Sequence, residues 1–101
     1  MPKLYEYFGL VVFFYTNEHQ PIHVHGEFQN GHARAEIFLR EGRIVRIVFL
    51  NVGGKPPLPA NKMKDFRTLV KARADDIVRR WIEYFVFKKH NKPELITRKL
   101  K

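Results

Sequence analysis

The sequence predicts an α+β domain, a small antiparallel sheet of three to four strands packed against one long C-terminal helix. Three observations predict it. Residues 22 to 39 alternate apolar and polar around Asn30-Gly31, the period of a strand. A Gly- and Pro-rich stretch, Asn51 to Ala60, then interrupts the pattern. Beyond it, apolar residues recur in steps of three and four for about 25 residues, the period of a helix.

A chain of 101 residues is long enough for one core, and 45% hydrophobic and 14% aromatic residues can fill it. The domain is expected over residues 1–88, with a basic flexible tail over 89–101. The chain has no cysteine, which removes disulfide frameworks, thiolate metal sites and cysteine nucleophiles together. No stretch approaches the roughly 20 apolar residues that span a bilayer. Met1-Pro2-Lys3 leads straight into aromatics, unlike a signal peptide. These features point to the cytoplasm and away from membranes.

The first strand is read from Tyr7 to Tyr15. It is apolar at nearly every position, as a central strand buried on both faces is. Thr16 to Pro21 is a polar connection. Taking Asn30-Gly31 as a two-residue hairpin loop pairs Gln29 with His32, Glu27 with Arg34, His25 with Glu36 and His23 with Phe38. One face then collects Ile22, Val24, Gly26, Phe28, Ala33, Ala35, Ile37 and Leu39. The other collects His23, His25, Glu27, Gln29, His32, Arg34 and Glu36, with Phe38 at its end.

Glu41-Gly42 makes the next turn, and Arg43 to Leu50 is a further strand whose two-sided apolarity leaves its register open. Asn61 is the expected N-cap of the helix. Met63, Phe66, Val70, Ala74, Ile77, Trp81 and Tyr84 form its buried stripe, widened by Leu69, Val78 and Phe85. Asn91-Lys92-Pro93 ends it near Lys88 or Lys89.

The densest chemistry is Glu18-His19-Gln20-Pro21-Ile22-His23-Val24-His25, which holds three of the five histidines. His23 and His25 project from one strand face, Glu27 continues the row, and His19 lies in the loop entering the strand. Two imidazoles and a carboxylate on one face are the donor set of an open divalent-metal site such as zinc, so His19, His23, His25 and Glu27 are candidate ligands. Glu36, expected across from His25, is the candidate acceptor that would fix its tautomer. The catalytic candidates are accordingly His19, His23, His25 and Glu36. The same residues equally form a solvated polar face, with Glu27 and Arg34 as an ordinary cross-strand ion pair, or act without metal as a base or as donors to an anion. His32, beside the turn, is expected to be exposed, and His90 is no candidate.

The chain has no serine, and Thr16, Thr68 and Thr97 sit in no recognisable motif, which excludes a Ser-His-Asp enzyme. The net charge is +9, and it favours an acidic partner. From Lys88 to Lys101 six basic residues face one acid, Glu94, so +5 of the +9 lies there. Lys88, Lys89, Lys92, Arg98 and Lys99 are therefore the candidate contacts to nucleic acid or to a partner protein. Helix-turn-helix binding is excluded with one expected helix. Exposed edges on a small sheet would also suit a homodimer.

Tyr7-Phe8-Gly9-Leu10-Val11-Val12 followed by His19, Pro21, His23 and His25 resembles the prokaryotic domain of unknown function 4160 family, whose hallmark is an aromatic-Gly-aliphatic strand and a His-x-Pro-x-His-x-His motif. The likeness extends through Trp81-Ile82-Glu83-Tyr84-Phe85. Two departures are Ile22, where a second proline is frequent, and a longer stretch between hairpin and helix. The family has no established activity, and the resemblance implies small bacterial proteins suspected of belonging to toxin–antitoxin pairs. Two functional readings follow. The first is a regulatory or binding module, one half of such a pair, contacting a partner protein or nucleic acid. The alternative is a metal-assisted or histidine-dependent hydrolase or nuclease using His19, His23 and His25.

Overall fold

The computed structural model describes residues 3–14, 22–88 and 92–100. The elements run β1 (Lys3–Tyr7), β2 (Leu10–Phe13), β3 (Ile22–Phe28), β4 (Gly31–Arg40), β5 (Arg43–Asn51), α1 (Ala60–Ala72), α2 (Ala74–Phe85) and β6 (Glu94–Ile96). The strands form one six-stranded sheet in the order β5-β4-β3-β2-β1-β6. Its neighbours are antiparallel except β1 and β6, which pair parallel.

The α+β class stands, but a sheet of three to four strands against one long helix does not. The first strand, expected from Tyr7 to Tyr15, is β2 from Leu10, and an unexpected strand, β1, precedes it across a turn at Phe8-Gly9, where both residues take left-handed φ values of 50° and 87°. Such a turn matches the twist of its flanking strands, and Gly9 supplies one of its two positions without strain. The sixth strand comes from the C-terminal stretch. Ile96 is buried beside β1, and the Leu100 amide donates to the Tyr7 hydroxyl at 2.8 Å.

The long helix is likewise two shorter ones. The backbone leaves helical geometry at Arg73 (φ −115°, ψ 18°), although its amide still donates to the Leu69 carbonyl at 2.9 Å. The apolar steps continue across the break, so periodicity does not reveal it. Asp75 and Asp76 occupy the first turn of α2, where carboxylates favour a helix start. Asp76 also accepts from the Tyr5 hydroxyl and from Arg79 and Arg80, which ties α2 to β1. At the other end the N-cap is Pro59, not Asn61.

Both helices cover one sheet face. Val24, Ala33, Ala35 and Ile37 from the sheet share one buried cluster with Phe66, Leu69, Val70, Ile77 and Trp81 from the helices. Gly26 lies beneath Phe66, and a Cβ there would sit 2.7 Å from the Phe66 ring. No helix among the described residues is long and apolar enough to cross a membrane.

Candidate functional site

The second hairpin turns at Gln29-Asn30, not Asn30-Gly31, with Gln29 in the left-handed region at φ 53°. Phe28 pairs with Gly31, Glu27 with His32, His25 with Arg34 and His23 with Glu36. Gly31 is held in the strand by a close approach. A Cβ there would come within 2.7 Å of the Pro57 carbonyl oxygen. A two-residue displacement leaves every side chain on its expected face and changes every partner. The polar face therefore remains as read, but Glu36 lies across from His23, not His25. Glu36 pairs with Arg34 at 3.1 Å, and the expected Glu27–Arg34 pairing is absent.

On this face, opposite the helices, two histidines are buried. His25 is 4% exposed and His32 only 1%, which corrects the expectation of an exposed His32. Nδ1 of His25 lies 3.1 Å from Nε2 of His32. Phe13 of β2, the register partner of His25, stacks on its imidazole at 5.6 Å and meets the His32 ring edge-on at 5.8 Å. His23 packs edge-on against His25 at 5.6 Å.

The tautomers of the two rings are assigned from the nearest carboxylate, Glu27. Its Oε2 is 3.5 Å from Nδ1 of His32. A carboxylate only accepts, so that ring carries its proton on Nδ1 and accepts on Nε2. Nδ1–H of His25 then donates to His32, and the lone pair of His25 sits on Nε2. Burial, followed by the neighbouring His32 and His23 rings and the cations Arg34 and Lys55, pushes the His25 pKa down to about 3. Burial and Lys55 lower that of His32 against the opposing pull of Glu27. Both imidazoles are neutral at neutral pH, with Arg34 and Lys55 the cations nearest His25 and Glu27 the carboxylate beside His32.

The connection between β5 and α1 brings Lys55 to this site. The His32 amide donates to the Pro56 carbonyl at 2.9 Å, and Leu58 is buried in the main core. The segment is thus fastened on both sides of Pro57.

His23, His25 and Glu27 are brought onto one face, as the alternation requires. His19 and Lys89 lie outside the described residues. Among the described residues, no three His, Cys, Asp or Glu side chains are grouped to hold a metal ion. Of the basic C-terminal residues, Lys99 pairs with Asp65 at 3.2 Å and lies over Phe8 at 4.5 Å. Lys88, Lys92 and Arg98 are exposed. His32 is the site residue missed by sequence reasoning. Its place on the same face as His25 was the available signal, and its nearness to the turn outweighed that.

A family model described as Domain of unknown function (DUF4160) matches residues 9–82, most of the chain. The chain belongs to the DUF4160 family. The DUF4160 match contains β2 to β5, α1 and α2 as far as Ile82, and hence the whole described histidine face. β1 and β6, which extend the sheet by two strands, fall outside it. No curated protein and no solved structure matches the chain.

Proposed function

We propose that this DUF4160 protein is a small regulatory or binding module that recognises an anionic partner protein across the histidine face. The carrying observation is the pair His25–His32, joined at 3.1 Å and buried on the sheet face away from the helices, with the cations Arg34 and Lys55 beside it. Burial holds the proton affinity of His25 well below that of a general base working near neutral pH. The pair is suited to hold His23, Arg34 and Lys55 in fixed positions for a carboxylate-bearing partner. A role in a toxin–antitoxin pair would be one regulatory form of this contact.

The test is binding of a fluorescent polyglutamate peptide, followed by anisotropy. Arg34→Ala/Lys55→Ala should weaken binding while leaving the circular dichroism spectrum unchanged. Equal binding by that variant would remove the histidine face from recognition.

The hydrolase or nuclease reading draws on one observation, the His23 and His25 rings side by side on one sheet face at 5.6 Å. It needs His19 as a further donor. Zinc, nickel and manganese titrations of wild type beside His23→Ala/His25→Ala separate the readings. Stoichiometric binding that the variant loses would favour the enzyme.

A further inference from the structure

We propose that the free edge of β5 is the seat of an acidic, extended segment of the partner, which adds to the sheet as a seventh strand. This rests on the reading of the protein as a module for an anionic partner protein and names the form that partner takes. Among the described residues β5 has β4 as its one strand neighbour. Every second residue of such an edge turns its N–H and C=O outward, a template for another strand. β5 is nine residues long and carries Ile44, Val45, Ile47, Val48, Phe49 and Leu50, with Val45 59% exposed. The ladder to β4 shifts register at Val45, and the regular stretch from Arg46 to Asn51 is an apolar edge of the kind at which chains join.

The charges on both sides of the edge select the occupant. On the outer face Arg46 lies opposite Phe38, with its guanidinium 4.9 Å from the ring centroid, and Arg43 lies opposite Arg40. On the helix side Arg67 of α1 lies over Phe49 of β5 at 5.6 Å. A hollow on the outside of α1, lined in part by Met63, Lys64, Arg67 and Lys71, continues from that contact. Of the nearby acids, Asp65 is held by Lys99, Glu36 by Arg34 and Glu83 by Arg79, and Glu41 sits in the β4–β5 turn. Asp75 lines a hollow with Ile44, so on the helix side the cations serve the C-terminal half of β5. Among the described residues no carboxylate pairs with Arg43, Arg46, Lys64, Arg67 or Lys71.

A strand laid along β5 therefore meets cations from both faces of the sheet, and its side chains alternate between them. Acidic residues on either face would find a partner. A second copy is a poor occupant, because antiparallel pairing over the full length of β5 sets Arg43 opposite Asn51 and Arg46 opposite Val48, so neither cation meets an acid while each chain carries +9. Nucleic acid satisfies the cations but leaves the row of backbone donors and acceptors and the apolar side chains unmatched.

The experiment uses the full chain and a synthetic peptide of about ten residues alternating glutamate with valine. A control carries the same residues with alternate amides N-methylated. Amide hydrogen exchange of residues 44–50 is read by NMR, and affinity by anisotropy. The proposal expects slowed exchange along β5 with the first peptide and not with the control. It also expects roughly tenfold weaker binding for Arg46→Glu/Arg67→Glu, whose two exposed positions leave the fold intact.

Peptide binding that protects no β5 amide and depends only on Arg34 and Lys55 would overturn the edge site and leave the module reading standing. Failure of every acidic peptide to bind would overturn both. Protection of β5 by a single-stranded RNA of similar charge in place of the peptide, or by self-association in sedimentation, would also overturn it.

Discussion

Nδ1 of His25 lies 3.1 Å from Nε2 of His32, so two strands adjoining one turn are joined through neutral imidazoles on the face away from the helices. The pair is the site's centre and its most pH-sensitive element.

Acid should destabilise the protein earlier than its carboxylates alone would. The His25 pKa is about 3 in the folded chain against an ordinary value of 6.5. Between these values the unfolded chain binds more protons, so stability rises with pH there and is lost as pH falls below about 6.5. The expected loss by about pH 4 is on the order of 3 kcal/mol from this one group. Urea unfolding across that range should show it, and His25→Phe should flatten the profile. An unchanged slope in that variant would refute the assignment.

His32→Ala removes the acceptor of a buried N–H. Leaving such a donor unsatisfied costs about 1–3 kcal/mol, with a cavity added. Denaturant midpoints should record the loss, and His32→Ala combined with His25→Phe should recover part of it. A double variant no more stable than His32→Ala would show that the hydrogen bond is not the source.

Gly26→Ala tests the contact between sheet and helix. The added Cβ would meet the Phe66 ring at 2.7 Å, and Phe66 is fully buried. Forced overpacking of this kind costs roughly 1–3 kcal/mol. Thermal unfolding gives the measure, and Gly26→Ala/Phe66→Leu should restore much of the loss.

Ile96→Ala tests the last strand. Ile96 is 6% exposed and belongs to the main cluster, so truncation should cost about 2 kcal/mol. A variant as stable as wild type would mean that the C-terminal stretch adds nothing to the fold.

The register of β3 and β4 shows where pattern reading stops. Alternation has a period of two, so a shift of one residue is visible in sequence and a shift of two is not. Asn30-Gly31 is the stronger local turn signal, yet Gly31 sits in β4, where the Pro57 carbonyl leaves no space for a Cβ. A contact with a residue 26 positions away (31 to 57) outweighed the local preference. The Phe8-Gly9 turn is hidden for another reason: Tyr7, Phe8, Leu10 and Val11 around the glycine are aromatic or apolar, so no polar loop residue marks the reversal.

The α+β class, the two faces of β3 and β4, the apolar stripe of the helices and the sharing of one face by His23, His25 and Glu27 can be read from the order of residues. All of these follow from spacing along the chain. Tertiary structure alone decided the cross-strand partners, the break at Arg73, the sixth strand and the burial of His32. Each depends on contacts between distant segments, as with Tyr5 and Asp76 or His32 and Pro56, and residue spacing carries no record of them.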